Sequence, residues 1–215
     1  MLVCEDTRVT RKLLTHFGIP TPRVLFSAHE HNEHKSVRRI LGFLDAGDDV
    51  GYCSDAGMPG ISDPGFLMIR EARAAGHAVE VYPGPSAVVT ALVASGLPSE
   101  AFSFLGFPPR KTGQRRNALA RLAERPDTLI FFESPHRLGG FLADAQAVLG
   151  DRRAAVCANL TKMFERIDTG WLADLARKYE ADEPRGEVTV VIAGNSPKFR
   201  REPGRDEDRS RKSRV

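Results

Sequence analysis

The stretch Ser54-Asp55-Ala56-Gly57-Met58-Pro59-Gly60-Ile61-Ser62-Asp63-Pro64-Gly65 leaves a β-like run, residues 49–54, and enters a helical pattern, residues 65–75. Two carboxylates, three glycines and two prolines in twelve residues describe a shaped loop, because proline fixes φ where glycine admits positive values. Strand, structured loop and helix in succession are the unit of α/β folds, whose ligands sit beyond the carboxyl ends of the strands. Glycine backbone and exposed amides there allow a ligand to approach closely.

The same alternation extends in both directions. Upstream, residues 2–5 read as a strand and 8–17 as a helix closed by Gly18. Residues 24–27 read as a strand, and 33–46 as a helix with Asn32 as N-cap and Gly47 past its end. Downstream, a strand is predicted at 78–82 and a helix at 86–95, stopped by Gly96. After Leu97-Pro98 come strands at 102–105, 128–132, 153–158 and 188–193, with helices at 113–124, 136–149 and 172–179. The break at Leu97-Pro98 predicts two α/β lobes, residues 1–98 and 99–197, the first with a mainly parallel sheet. An α/β lobe ordinarily opens on a strand and a ligand-binding turn, whereas here Met1 leads straight into Leu2-Val3-Cys4-Glu5-Asp6; the expectation is that the chain begins inside its lobe.

Composition narrows the class. The chain has 215 residues, 41% hydrophobic and 27% charged, which excludes wholesale disorder and fibrous folds. Apolar runs such as Ala91-Leu92-Val93-Ala94 are far shorter than the ~20 residues of a membrane span, and no secretory leader pattern opens the chain. Cys4, Cys53 and Cys157 are distant from one another and each lies in or beside a β-like run, so they read as small buried hydrophobes rather than a disulfide or zinc framework. A cytoplasmic protein is expected.

The net charge of +3 is unevenly spread: residues 198–215 hold eight basic and four acidic residues and almost nothing apolar, the pattern of a disordered basic tail. A second cluster, Arg110, Lys111, Arg115, Arg116, Arg121 and Arg125, follows Gly106-Phe107-Pro108-Pro109 and is opposed only by Glu124. It is either a phosphate-binding segment or the solvated face of a helix.

Three further loops follow predicted strands: Pro83-Gly84-Pro85-Ser86-Ala87, Phe132-Glu133-Ser134-Pro135-His136-Arg137 and Asn159-Leu160-Thr161-Lys162. None ends as a nucleotide-binding P-loop, no strand is followed by Gly-x-Gly-x-x-Gly, and no nucleophile elbow occurs, so ATP, NAD and serine-hydrolase chemistries lose their support.

Glu5-Asp6-Thr7-Arg8 with Arg11-Lys12-Leu13-Leu14, the 54–65 loop, and these three segments in this order closely resemble the ribosomal RNA small-subunit methyltransferase I family of the tetrapyrrole-methylase superfamily. The resemblance runs from residue 1 to about residue 194. It implies a two-lobed α/β fold with a mainly parallel N-terminal sheet and a mixed C-terminal one, usually as a homodimer. It also implies S-adenosylmethionine in the cleft between lobes, no metal, and 2′-O-methylation of a cytidine in 16S rRNA of the small ribosomal subunit. Carried onto this chain, the cofactor residues are Asp55, Ala56, Gly57, Pro59, Ile61, Ser62 and Asp63, joined by Gly84, Pro85, Ser86 and Ala87. From the second lobe come Phe132, Asn159, Leu160, Thr161, Gly186 and Val188.

Two departures stand out. Members of the family begin with a further strand, a Pro/Gly-rich turn and a helix, roughly forty residues by element-length priors. They also carry Arg-Glu before Leu-Thr-Lys and an acidic pair after it, where this chain has Ala158-Asn159 and Glu165-Arg166.

Methyl transfer to a hydroxyl needs in-line alignment and a proton acceptor. The candidates at strand ends are Asp6, Asp63, Glu133 and Lys162. Arg110, Lys111, Arg115 and Arg116 are the candidate RNA contacts, and loss of Arg115 or Arg116 is expected to weaken RNA binding and reduce its salt dependence. Two alternatives remain at this level: methylation of a tetrapyrrole or other small molecule, and a non-catalytic RNA-binding remnant.

Overall fold

The apolar triplet Leu2–Cys4 forms β1, with Val3 and Cys4 fully buried, and everything else in the first part of the molecule is arranged around it. The structure, a computed structural model, describes residues 1–29 and 32–201. It divides into two compact units, Met1–Ser86 and Ala87–Val215.

In the first unit β1 is the central strand of a three-stranded sheet, flanked by β2 (Leu25–Ser27) and β3 (Gly51–Cys53). Both pairings are parallel, with Leu2 opposite Leu25 on one side and Gly51 on the other. Parallel neighbours require crossovers, supplied by α1 (Thr7–His16) and α2 (Glu33–Asp45), with α3 (Phe66–Ala74) after the glycine loop. Val3, Ala28, Val37, Ile40 and Met68 make the core. Asn32 stands at the N-cap of α2 as expected, but its side chain turns back: Oδ1 accepts from the His29 amide at 2.8 Å and from Ser36 Oγ at 3.2 Å.

The strand predicted at 78–82 does not form among the described residues; Val81 and Tyr82 lie exposed. Its Val and Tyr content satisfied β-propensity, but a strand exists through its ladder partner, and none of the described strands pairs with it.

The second unit opens with α4 (Ala87–Ser95) rather than at the Leu97-Pro98 break. The helix goes with this unit because Val88, Ala91 and Leu92 pack on Ile130, Ala155, Cys157 and Val191 of the second sheet. That sheet runs β4-β5-β8-β6-β7, formed by Phe102–Phe104, Thr128–Glu133, Val188–Ile192, Arg153–Ala158 and Arg166–Trp171 respectively. Only β4 and β5 are parallel; the other three pairings are antiparallel, so the sheet is mixed.

Period-two alternation sorts its side chains onto two buried faces. Leu129, Phe131, Val156, Val188, Val190 and Ile192 face α5 (Thr112–Ala120), α6 (Pro135–Leu149) and α7 (Leu172–Ala181), whereas Ile130, Ala155, Cys157 and Val191 face α4. Burial on both sides is why β5, β6 and β8 read as nearly unbroken apolar runs. β7, Arg-Ile-Asp-Thr-Gly-Trp, is an edge strand with a polar face and gives no such signal. Burial pushes the Cys157 thiol up to about 11, in keeping with a packing role.

Of the basic tail, Pro197–Phe199 forms one 3₁₀ turn and Arg201 lies against Asp151 and Asp174; residues 202–215 lie outside the described part. No helix among the described residues is long and apolar enough to cross a membrane.

A buried cation holds the lower end of the second unit together. Arg152 is 1% exposed and donates Nε to Leu149 O at 2.8 Å, Nη1 to Ala193 O at 3.5 Å, and Nη2 to Ala123 O. It thereby joins the C-terminus of α6, the segment after α5 and the end of β8, with its charge at the negative end of a helix. Arg152→Ala strands three buried acceptors and is expected to destabilise by about 3 kcal/mol or more. The measurement is the denaturant midpoint at unchanged m-value, with Arg152→Lys recovering only part, because one ammonium does not span the three carbonyls.

Candidate active site

Two of the four loops meet in the first unit, where all three strands point their carboxyl ends the same way. The 54–65 loop folds on itself: Ser54 Oγ donates to Ala56 O at 3.0 Å, and the Gly60 amide to Pro64 O at 3.2 Å. Tyr52 Oη donates to Pro64 O at 2.9 Å, and the Gly65 amide to Glu33 Oε1 at 3.2 Å. Gly65 has φ 139°, and a Cβ there would stand 3.2 Å from both the Gly60 nitrogen and Tyr52 Cε1, so this corner requires glycine.

The second loop, 82–86, closes over the first. The Gly84 amide donates to Met58 Sδ at 3.1 Å, and the place of a Cβ on Gly57 lies 3.5 Å from Pro85 O. The end of β1 is tied in as well: the Asp6 amide donates to Asp55 Oδ1 and the Asp55 amide to Glu5 Oε2, each at 3.2 Å. Asp55, Gly57, Met58, Gly84 and Pro85, separated by up to thirty positions in sequence, thus form one continuous edge; Ala87 belongs instead to α4.

That edge is negative. Burial first, then the charges of Glu5, Asp63 and Glu33, push the Tyr52 hydroxyl well above its ordinary range. Burial and Asp55 likewise raise Cys53, against a lowering hydrogen bond from Thr10.

Asp6 plays a different part from the one expected of a proton acceptor. It caps α1, accepting the Arg8 amide at 2.8 Å, and its two oxygens take Arg8 Nε at 3.1 Å and Nη2 at 2.6 Å. These hydrogen bonds lower its pKa to about 2. A depressed carboxylate contributes its stabilisation above the ordinary Asp range and loses it only as pH falls toward 2, so Asp6 stays ionised through any physiological titration.

In the second unit Glu133, at the end of β5, is also committed. Its side chain is fully buried, Oε2 accepts Arg137 Nη2 at 2.8 Å, and Oε1 accepts the Ser134 amide at 2.8 Å. Arg137 Nη2 donates as well to Pro108 O, joining the loop after β4 to the start of α6. Phe132 lies in the α4-side cluster with Leu160 and stacks edge-on to Phe104, with centroids 4.8 Å apart.

The turn after β6 is brought together with the segment before β8. Asn159, at φ 52°, makes the tie: its amide donates to Glu187 O at 2.9 Å and its Nδ2 to Arg185 O at 2.7 Å. Gly186 has φ 81°, and a Cβ there would sit 1.9 Å from Asn159 Oδ1, so any other residue would displace the Asn159 side chain. Thr161, at φ 64°, donates its amide to Glu165 Oε2 at 2.6 Å. Lys162 Nζ pairs with Glu187 Oε1 at 2.8 Å, and Val188 is buried in the sheet.

The basic segment separates into two kinds of arginine. Arg115 is 7% exposed and its Nε donates to Asp144 Oδ2 at 2.6 Å, with further donation to Arg110 O and Gly140 O. This corrects its expected place as an RNA contact: it joins α5 to α6. Arg116 shares Asp144 through Nε at 2.6 Å but keeps a half-exposed side chain, while Arg110 and Lys111 are exposed. Arg125 is held bidentately by Asp127.

With this geometry in place, similarity to known proteins becomes informative. The family model described as Tetrapyrrole (Corrin/Porphyrin) Methylases matches residues 1–176. Proteins named Ribosomal RNA small subunit methyltransferase I are 48% identical in Xylella fastidiosa, covering 90% of this chain and 71% of that one. The corresponding protein of Pseudomonas aeruginosa is 46% identical, covering 90% of this chain and 69% of that one. The chain belongs to the ribosomal RNA small subunit methyltransferase I branch of the tetrapyrrole methylases. Its fold is that of a cobalt precorrin-4 methyltransferase, with TM-score 0.61 at 16% identity, covering 89% of this chain and 82% of that one. It is likewise that of a uroporphyrin-III-C-methyltransferase from Thermus thermophilus, with TM-score 0.60 at 22% identity, covering 88% and 81%. This methylase is therefore an enzyme of the methyltransferase class.

Several partners escaped the sequence reading. Glu5 and Met58, which hold the loop edge together, sit in or beside quoted motifs but carry no spacing rule. The Glu133–Arg137 pair had one, the helical i,i+4 interval, and could have been found. Asp144, far along the chain, gave no local sign that it would bury Arg115.

The split among the arginines predicts a split in phenotype. Arg115→Ala leaves Asp144 buried beside one partner and is expected to cost about 3–5 kcal/mol of stability by chemical denaturation. Arg116→Ala is expected to leave stability within about 1 kcal/mol. Equal losses for the two would contradict the assignment.

Proposed function

We propose that this methylase transfers a methyl group from S-adenosylmethionine to the ribose 2′-hydroxyl of a cytidine in 16S rRNA, acting as a homodimer in the cytoplasm. The observation that carries the reading is the 44–48% identity to proteins named Ribosomal RNA small subunit methyltransferase I, sustained over about nine-tenths or more of this chain.

The first unit's loop edge fits such a donor. S-adenosylmethionine supplies an electrophilic methyl on a sulfonium and brings a second positive charge on its ammonium. An edge lined by Glu5, Asp55 and Asp63, whose field already raises Tyr52 and Cys53, favours a cationic ligand over an anionic one. Gly57 and Gly84 leave backbone uncovered, so Asp55 to Asp63, with Gly84, Pro85 and Ser86, would hold the cofactor by amides, carbonyls and carboxylates. Phe132, Asn159, Leu160, Thr161, Gly186 and Val188 are proposed to contribute from the second unit.

Asp6, Asp63, Glu133 and Lys162 are the acid–base candidates. Both oxygens of Asp6 are engaged by Arg8, Glu133 is sealed in its pair with Arg137, and Lys162 Nζ lies 2.8 Å from Glu187 Oε1. Asp63 is proposed to accept the hydroxyl proton because it lies on the same 54–65 loop that is proposed to hold the methyl donor. Positioning of hydroxyl against methyl falls to the rigid loop edge, and proton removal by a placed base contributes about 10²–10⁴-fold.

Incubation with methyl-labelled S-adenosylmethionine and small ribosomal subunits should place label in 16S rRNA, at a ribose resistant to alkaline cleavage. Label in a tetrapyrrole precursor instead would move the chain to the small-molecule branch, and absence of S-adenosylmethionine binding by calorimetry would make it a non-catalytic RNA binder. Asp63→Asn should lower kcat, measured at saturating S-adenosylmethionine, by about 10²-fold or more; an unchanged kcat removes Asp63 from the role.

A further inference from the structure

The turn after β6, whose first residues the cofactor reading uses, ends in two side chains that it does not. Met163 and Phe164 are 91% and 77% exposed, yet the backbone presenting them is held by five contacts. The Lys162 amide donates to Asn159 O, the Glu165 amide to Lys162 O, the Thr161 amide to Glu165 Oε2, Asn159 Nδ2 to Arg185 O, and Lys162 Nζ pairs with Glu187. Two non-glycine residues, Asn159 at φ 52° and Thr161 at φ 64°, adopt left-handed backbone, and for a β-branched threonine that is a marked outlier. Strain of this kind persists where surroundings enforce it, and it concentrates at functional positions. Leu160, one residue into the turn, is partly buried and packs against the α4-side core cluster. The turn therefore projects a thioether and a phenyl ring rigidly into water, against the ordinary preference of apolar groups.

Its place in the sheet is equally specific. β4 and β5 are parallel, and β5 and β6 each run antiparallel to β8, so β4, β5 and β6 all end at the same edge. The loop leaving β4 brings exposed Phe107, Arg110 and Lys111 to that edge. β4 and β6 stand three strand positions apart, about 14 Å at the usual strand spacing. Cations on one loop and a rigid aromatic on another, along a single edge, is the pattern by which single-stranded nucleic acid is held: phosphates on the charges, a base on the ring. A duplex offers no open base face. A protein partner needs on the order of 800 Å² per side, far more than two side chains supply.

We propose that Phe164, flanked by Met163, stacks on an unpaired nucleobase of the substrate RNA, while Arg110 and Lys111 take the adjoining phosphates. This rests on the rRNA methyltransferase reading and adds to it a base-contacting residue.

The test is equilibrium binding of the full chain to a single-stranded fragment of 16S rRNA at several salt concentrations. Phe164→Ala and Phe164→Leu should each weaken binding by about 5- to 100-fold with the salt slope unchanged, and Phe164→Trp should restore it. Lys111→Ala should instead reduce the slope. Calorimetry with S-adenosylmethionine checks that each variant still binds the cofactor. Wild-type binding of RNA that is matched by Phe164→Ala and Phe164→Leu at every salt overturns the stacking proposal alone. So does a shift of Phe164→Ala from dimer to monomer by sedimentation, which would make the tip a contact between copies. If the wild-type chain binds no RNA, the rRNA reading fails and this proposal with it.

Discussion

The amide of Gly84 rests on the sulfur of Met58, and the Pro85 carbonyl rests against Gly57; these contacts join loops that leave the first unit at different places in the chain. Neither loop makes a site alone. The 82–86 segment belongs to no ladder among the described residues and takes its position from the 54–65 loop beneath it. That loop in turn is shaped by contacts only its own residues can make, such as the closure of Gly60 on Pro64 and the crowding at Gly65. The carboxylates that give the edge its negative field are placed by the same ties, Glu5 and Asp55 each engaging the other's loop. The proposed cofactor site depends on that convergence.

The second unit spends its charge differently. Arg115 on Asp144 and Arg152 on three carbonyls are withdrawn from water, and with the partly buried Arg137 on Glu133 they tie helices to one another and to strand ends. Buried guanidinium groups of this kind specify which element lies against which, at a large cost if either partner is lost. Counting arginines in the 110–125 segment therefore overstated what is available to an RNA. Arg110, Lys111 and Arg116 remain at the surface, while Arg115 and Arg125 are engaged in structure.

Much of this was legible in the sequence, and the exceptions have physical reasons. β6 matches its expected bounds, and β5 and β8 differ from theirs by one residue, because strands buried on both faces are written as apolar runs. The mixed second sheet and the parallel first one follow from the resemblance and from the spacing of helices. β7 was missed because an edge strand need satisfy only one face. The strand expected at 78–82 was overread because propensity is local and pairing is not. The unit boundary was placed at a Gly-Leu-Pro break, whereas the side on which α4 packs, and so the division before Ala87, is decided by contacts with Ile130 and Val191. For the site, motif order marked the loops, but whether a carboxylate is available depends on partners such as Arg8 and Arg137, which only the fold brings near Asp6 and Glu133.

Hydrogen exchange, followed by peptide with and without S-adenosylmethionine, tests the convergence most directly. Ligand should protect the 54–65 and 83–86 amides together, over the same concentration range, because one bound molecule engages both loops. Protection of either loop without the other, or protection confined to segments away from both, would contradict the account.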